Sequence, residues 1–312
     1  MRIFKKLSLF SRSALLAGTA LLPSLCFAEP ANQTLVMVGS DLEICSSSKP
    51  KNCSTKESII GKQENVFSVT KQSIKKIDQF WPNNNTKHRD HVVAVLNKLT
   101  HKEFQKVSKA TLLWAWRDLD NQVLSSLSES EFNYVFDILE VVILNKQKQR
   151  ITERVYKDLT TETSTTDILD FVSASLKTTT ESPTILAVTA SSRDPYESAD
   201  FYEGLLNFKG VESSWLPLTP ALAKAITSKQ CESLDSLRTD SMSVFNRETI
   251  YPDRIKAEKA LCDKGVDHLV KLIENATGMM FNGGDQSLTR KVLFDDNGKQ
   301  YPWTHVRYYH LY

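Results

Sequence analysis

The spacing of apolar residues changes along the chain, and the change predicts how the chain is organised. From about residue 66 to 176, apolar residues recur every three or four positions with polar residues between them, as in amphipathic helices. Segments 91–99, 104–127 and 131–144 carry this pattern most clearly. After Pro183, short apolar runs alternate with amphipathic stretches, which predicts alternating strands and helices around a parallel sheet.

The second half of the chain predicts strand, loop and helix units. Residues 184–188 form a near-continuous apolar run, as expected for a parallel strand that is covered on both faces. A helix over 195–206 follows, with Asp194 as its N-cap. Another strand is predicted over 277–281. The same pattern predicts a strand over 211–218 and helices over 221–228, 255–262, 266–275 and 287–293. Near the beginning, residues 34–40 predict a buried strand and residues 41–62 a loop.

The N-terminus predicts an export signal over residues 1–28. Residues 1–12 are basic, residues 13–25 are short and apolar, and small residues precede a cleavage position before Glu29. The apolar run is shorter than the roughly 20 residues needed to cross a bilayer, which favours cleavage over the alternative of a membrane anchor. The mature protein is therefore expected to be periplasmic or secreted, without a stable membrane anchor.

Cysteine usage agrees with export. Cys26 lies in the predicted signal, and four cysteines remain: Cys45, Cys53, Cys231 and Cys262. Four cysteines in an oxidising compartment permit two disulfides in three pairings. Sequence proximity favours 45 with 53 and 231 with 262, and free buried thiols are the alternative. The chain has no Cys-x-x-Cys pair, so zinc or redox chemistry has little support.

The charge balance gives no support to nucleic-acid binding. Lys plus Arg is 39 and Asp plus Glu is 37 in the whole chain. Cleavage of the predicted signal would remove four cations and no anion, which leaves a net charge of −2. A protein this close to neutrality carries no overall electrostatic attraction for nucleic acid.

Some isolated polar residues suggest chemistry but have simpler explanations. His88 and His91 have helical His-x-x-His spacing, but no further ligand completes a metal motif, so a solvated helix face is expected and no metal is assigned. Ser191 and Ser192 follow a predicted strand without the glycines of a nucleophile turn, so they are expected to be ordinary loop serines. The aromatic C-terminal segment, with His305 and His310, is expected to pack as a chain end or be disordered.

The loop at residues 283–286 gives the most specific functional signal in the sequence. Gly283, Gly284, Asp285 and Gln286 lie between a predicted strand and helix, where the carboxyl edge of an open α/β sheet holds ligands. Glycines permit a sharp turn and close approach to the backbone, Asp285 can cap the helix, and Gln286 offers an amide. These four residues form the predicted substrate-binding loop, with a purely structural capped turn as the alternative.

The run Thr277-Gly-Met-Met-Phe-Asn-Gly-Gly-Asp-Gln286, followed by Ser287-Leu288, resembles the strand and loop of cyanophycinase-like serine peptidases, relatives of peptidase E. Residues 35–40 resemble the family's opening strand, and residues 185–206 its second strand and helix. The resemblance implies a class I glutamine amidotransferase-like α/β fold, with an open parallel sheet and helices on both faces. It divides the chain into a first strand and Cys-containing loop (29–65), a mostly helical insertion (66–180) and the remainder of the α/β domain (181–312).

The resemblance implies hydrolysis of a peptide or isopeptide bond by a serine on a Gly-x-Ser-x-Gly-like turn, with a histidine base and no cofactor. Gln286 matches the family's active-site glutamine by position. The chain contains no Gly-x-Ser-x-Gly, and only 26 residues follow Gln286, so no catalytic residue is assigned. The expectation is an incomplete fold, truncated before the nucleophile and inactive as a peptidase. The alternatives are a non-catalytic exported binding protein with a peptide-like ligand, or a fragment of a longer chain; the oligomeric state stays open.

Overall fold

The computed structural model describes residues 34–39, 42–100 and 102–304. The predicted signal peptide and the three histidines at 101, 305 and 310 lie outside the described residues. The described residues from Leu35 onward belong to one compact unit. No helix in the described part of the chain is long and apolar enough to cross a membrane.

The first half of the fold is a helical lobe, defined as residues 66–141. Three two-residue strands form a small antiparallel sheet in the order β2-β1-β3. The elements are β1 (Val66–Phe67), α1 (Lys71–Gln79), α2 (Thr86–Lys98), β2 (Val107–Ser108), α3 (Lys109–Ser126), α4 (Glu129–Leu139) and β3 (Glu140–Val141). The predicted helical character is therefore confirmed, and the small sheet is an addition that the sequence pattern did not predict.

Side-chain caps decide where these helices begin. Thr70 and Ser73 form a capping box at the start of α1, and Ser128 and Glu131 form another at the start of α4. Ser108 caps α3, so that helix begins five residues later than the pattern predicted. Each cap satisfies backbone amides that have no partner within the helix.

Aromatic side chains fill the core of the helical lobe. The rings of Phe67 and Phe136 meet edge to face with their centroids 5.6 Å apart, and Trp116 stacks on Phe136 at 6.5 Å. Phe245, from the second half of the chain, enters this core and lies 5.0 Å from the ring of Tyr134. The helical lobe therefore packs against the second half of the chain through an apolar contact at Phe245.

The second half of the fold is an α/β lobe, defined as residues 163–304. Its sheet has three parallel strands in the order β5-β4-β6, with β4 at the centre. The elements are α5 (Thr163–Lys177), β4 (Thr184–Val188), α6 (Pro195–Leu205), β5 (Glu212–Trp215), α7 (Pro220–Ser228), α8 (Leu234–Met242), α9 (Arg247–Ile250), α10 (Pro252–Lys264), α11 (Val266–Asn275), β6 (Gly278–Phe281) and α12 (Gln286–Leu293).

Helices cover both faces of this sheet. Alternate residues of a strand point to opposite faces, so Ile185 and Ala187 pack with α5 and α6, whereas Leu186 and Val188 pack with α7, α11 and α12. The predicted parallel α/β sheet with helices on both faces is confirmed for these three strands. The helix α5 falls within the predicted insertion, yet it packs on the sheet through Leu169 and Leu176 and belongs to the α/β lobe.

The strand predicted over residues 34–40 is wrong for residues 34–39, and Ser40 lies outside the described residues. These residues form no strand, and Leu35 and Met37 are 75% and 84% exposed. None of their backbone groups pairs with a described strand. An apolar run predicts a strand only where a neighbouring strand supplies hydrogen bonds, and the local sequence does not contain that information.

Two disulfides are present, with the pairing that sequence proximity favoured. Cys45 bonds to Cys53 with a Cα–Cα distance of 4.6 Å, and Cys231 bonds to Cys262 at 5.7 Å. The first closes a tight N-terminal loop. The second links the turn after α7 to helix α10 in the α/β lobe.

Candidate functional site

The Gly283–Gln286 loop lies at the carboxyl edge of the sheet, beside the loop that follows β4. The amide of Asp285 donates to the carbonyl oxygen of Ser191 at 2.9 Å. Asn282 binds the same loop twice, since its Oδ1 accepts from the Ser191 amide at 3.1 Å and its Nδ2 donates to Ser192 Oγ at 2.8 Å. The structure therefore brings the predicted loop and both candidate serines together.

Gly284 is required by this close approach. Its φ is +142°, and a Cβ built on it would lie 2.5 Å from the carbonyl oxygen of Ser191. Gly283 has open space around the same position. The two glycines thus differ in role, because only Gly284 holds a backbone position that a side chain would disrupt.

Asp285 acts as the N-cap of α12, as its position predicted. Its Oδ1 accepts from the amide of Ser287 at 2.8 Å, and the hydrogen bonds from Ser287 lower the pKa of Asp285. The carboxylate thereby uses an amide that an anionic ligand at this helix end would need, and its charge opposes such a ligand. This geometry accounts for the loop as a capped turn, while substrate contact by Gln286 stays a prediction.

The two serines of the neighbouring loop are engaged with other side chains. Ser191 Oγ hydrogen-bonds to Thr289 Oγ1, and Ser192 Oγ lies 2.7 Å from Ser198 Oγ. Neither hydroxyl contacts a histidine in the described part of the chain. The expectation of ordinary loop serines is consistent with this, although the partners are side chains and not the serines' own backbone.

The other predicted positions also have structural partners. His88 Nδ1 lies 3.0 Å from the buried Glu131 carboxylate, so this histidine is tied to the cap of α4 and is not simply solvated. No group of three or more potential metal ligands forms among the described residues. Near the C-terminus, Tyr301 and Trp303 stack at 4.7 Å, and the indole of Trp303 donates to the Val292 carbonyl oxygen at 2.8 Å.

A buried charge cluster joins the two lobes, and we call it the Arg247 cluster. The guanidinium of Arg247, which is 1% exposed, contacts Asp194 at 2.7 Å, Glu140 at 2.8 Å and Asp137 at 3.3 Å. Arg193 also binds Asp137, at 3.0 Å. Asp137 and Glu140 end α4 in the helical lobe, whereas Asp194 caps α6 in the α/β lobe.

Burial and ion pairing shift the pKa values of this cluster in opposite directions. Burial by itself lowers the pKa of Arg247, but the charges of the three carboxylates outweigh it and raise that pKa well above its ordinary value. For Glu140, burial dominates over the attraction of Arg247 and raises its pKa. The arginine therefore stays charged and compensates the buried carboxylates that it contacts.

A cavity of about 260 Å³ opens beside the Arg247 cluster, and we call it the interlobe cavity. Its walls come from the helical lobe, from the turn between β4 and α6, and from residues just before β1. Phe67 and Phe136 supply apolar wall, and Asp137, Glu140 and Arg193 connect the cavity to the charge cluster. Its remaining polar lining is Glu64, Asn65, Lys109, Asn133 and Glu197, with Ala110 at the start of α3.

Several polar groups of the interlobe cavity have no partner among the described residues. Asn65 Oδ1 and Asn133 Nδ2 are buried without a hydrogen bond. Lys109 Nζ lies 4.9 Å and 4.8 Å from the ring centroids of Phe132 and Phe136 and is in no ion pair in the described structure. Desolvation, followed by repulsion from Arg193, lowers the pKa of Lys109.

Glu197, in helix α6 of the α/β lobe, also lines the interlobe cavity. Its Oε1 accepts from Asn65 Nδ2 at 2.6 Å. Desolvation, together with the nearby charge of Asp194, raises the pKa of Glu197. A cation and an anion with shifted pKa values thus line one small cavity, together with Asn65 and Asn133, each of which has one amide atom without a hydrogen bond.

Comparisons with family models, with curated proteins and with solved structures found no match to this chain. The resemblance to cyanophycinase-like peptidases therefore depends on residues 35–40, 185–206 and 277–288 alone.

Sequence patterns did not reveal the Arg247 cluster or the interlobe cavity. Asp137 and Arg247 are 110 positions apart, and no motif links them. One local signal was available, because Asp137 and Glu140 interrupt an otherwise apolar run from 134 to 143. Charged residues within such a run are seldom buried unless they are paired, so the run itself indicates a partner elsewhere in the fold.

We predict that Gly284→Ala lowers the free energy of unfolding by about 2 kcal/mol or more, because the new methyl group meets the Ser191 carbonyl oxygen at an unfavourable φ. Gly283→Ala is the matched control, since nothing lies within 4 Å of its Cβ position. Urea denaturation of both variants measures the effect. Equal losses in the two variants would contradict the close approach.

We predict that Arg247→Met lowers the free energy of unfolding at pH 7 by about 3 to 5 kcal/mol, because buried carboxylates lose their shared cation. Arg290→Met, at an exposed position of α12, should change it by less than about 0.5 kcal/mol. Denaturant unfolding of the two variants gives the comparison. A loss below about 1 kcal/mol for Arg247→Met would contradict the assigned role of the cluster.

Proposed function

We propose that this chain is an exported, non-catalytic binding protein whose small polar ligand occupies the interlobe cavity. The observation that carries the proposal is the lining of this cavity, where the ammonium of Lys109 and the carboxylate of Glu197 meet without an ion-pair partner among the described residues. Asn65 and Asn133 line the same cavity, and each has one buried amide atom without a hydrogen bond, which costs about 1 to 3 kcal/mol.

The size and position of the cavity support a small ligand. Its volume of about 260 Å³ lies just below the roughly 300–1,000 Å³ of sites for drug-sized molecules. Its walls come from two lobes with separate hydrophobic cores, and ligand sites favour such boundaries. Export is supported by the two disulfides, which persist in oxidising compartments.

The resemblance to cyanophycinase-like peptidases concerns the α/β sheet and the loop at its edge. A parallel sheet with the Gly-Gly-Asp-Gln loop at its carboxyl edge agrees with that resemblance, and it keeps peptide hydrolysis as the second candidate function. Binding without hydrolysis is preferred, because the hydroxyls of Ser191 and Ser192 are engaged by Thr289 and Ser198. In the family, the nucleophile is instead exposed to a histidine base.

Calorimetry tests the proposal with a panel of free amino acids, dipeptides, small carboxylates, small amines and monosaccharides at millimolar concentration. We expect at least one class to bind, and Ala110→Trp to abolish binding, since the indole would fill the cavity from the start of α3. Ala257→Trp, at an exposed position of α10, is the matched control and should bind normally. No binding by any member, or equal binding by the Ala110→Trp variant, would contradict the proposed site.

A peptidase assay on the same protein distinguishes peptide hydrolysis from binding alone. Incubation with peptides should give no turnover, and Gln286→Ala should make no difference. Steady hydrolysis that a serine-directed inhibitor blocks would instead support a peptidase and reject the non-catalytic proposal.

A further inference from the structure

We propose that two copies of this chain associate by exchanging residues 35–39, and that each segment adds as a strand to the open β6 edge of the other copy. The occupant of that edge is therefore a second copy of the same chain. This inference is independent of the interlobe cavity, because neither β6 nor residues 35–39 contribute to the lining of that cavity.

The outer edge of β6 is open in the described part of the chain. β6 lies at one end of the strand order and pairs only with β4 among the described strands. The Asn282 amide donates to the Val188 carbonyl oxygen at 3.1 Å, and successive amides of a strand point to opposite sides. The amides of Met279 and Phe281 therefore point away from β4, toward the open side.

The other edge of the sheet is protected in a way that the β6 edge is not. On β5, the Leu216 amide donates to β4, so the Trp215 amide points outward, where it donates to Glu203 Oε1 of α6 at 2.8 Å. β6 carries no charged residue and no proline, which are common devices that keep an edge strand from pairing with another chain. Phe281 at its end is 39% exposed. Of the two edges, β6 is therefore the one that can accept a further strand.

Residues 35–39 have the properties of the strand that would pair there. Their sequence, Leu-Val-Met-Val-Gly, is apolar and contains two β-branched valines, which favour strands. Their backbone pairs with no described strand, and the side chains of Leu35 and Met37 are largely exposed. Addition to a sheet edge would give this segment main-chain hydrogen bonds and would cover its apolar side chains.

The segment joins the fold close to the part of the sheet that contains β6. Leu42 and Met280 both pack on the hydrophobic cluster on the α5 and α6 face of the sheet. Gly39 lies at most about 11 Å from Leu42, because one residue spans at most about 3.6 Å. A donating segment and an accepting edge on the same part of the molecule allow one two-fold axis to relate two identical exchanges. The segment and the edge do not pair within one copy, so we assign a second copy as the partner.

Two variants test the two halves of the contact by light scattering at micromolar protein concentrations. Val36→Pro combined with Met37→Pro removes two successive amides, so one amide is lost from the pairing side in any register. Phe281→Lys places a charge on the β6 edge. We expect each variant to weaken dimerisation about tenfold or more, because main-chain hydrogen bonds across the contact are lost. Val36→Ile with Met37→Leu, and Phe80→Lys at an exposed position of the helical lobe, are the matched controls and should dimerise normally.

A mixing experiment separates exchange from other modes of association. The proline variant keeps an intact β6 edge, and Phe281→Lys keeps an intact segment, so one of the two contacts can form between them. We expect the mixture to give a heterodimer at a concentration at which each variant alone is monomeric. Urea unfolding of the monomers should show the same midpoint for the proline variant and the wild type, since residues 35–39 pair with no described strand.

Three results would overturn the proposal. One is a wild-type protein that stays monomeric at its highest soluble concentration, where slow hydrogen exchange of the 35–39 amides would indicate pairing within one copy instead. Another is dimerisation that neither variant weakens, which would place the interface elsewhere. The third is a mixture that forms no heterodimer at the highest soluble concentration although the matched controls dimerise.

Discussion

The rest of this structure depends on the pairing of one buried arginine. The helical lobe and the α/β lobe have separate hydrophobic cores, and Arg247 is in contact with carboxylates from both. A buried charge must be compensated, so the end of α4 and the start of α6 can be buried together only while the guanidinium lies between them. Phe245, two residues before Arg247, adds an apolar anchor in the core of the helical lobe.

The interlobe cavity follows from this arrangement. Asp194 caps α6 and binds Arg247, and its neighbour Arg193 reaches Asp137, so the turn between β4 and α6 lies against the end of α4. Glu197 then faces Lys109 and Asn133 across the space that remains. The charges that join the lobes are paired within the Arg247 cluster, whereas Lys109 in the cavity is in no ion pair among the described residues.

The same turn connects the cavity to the carboxyl edge of the sheet. Ser191 and Ser192 bind Asn282 and the Gly283–Gln286 loop on one side, while Arg193 extends toward the helical lobe on the other. Close backbone contact at Gly284 fixes the distance between β4 and the loop after β6. The loop that resembles a peptidase feature and the proposed binding cavity therefore lie on either side of one segment, the turn between β4 and α6.

Features that depend on a few neighbouring residues were determined by the sequence. They include β4, the helix that starts at Asp194 and Pro195, the cap at Asp285 and the two disulfides, because periodicity, capping and short loop closure act locally. Tertiary structure alone decided that residues 35–39 form no strand, that α5 packs on the sheet, and that Asp137 meets Arg247. These outcomes require hydrogen-bond or charge partners far away in the chain, and no local pattern records which distant group supplies them.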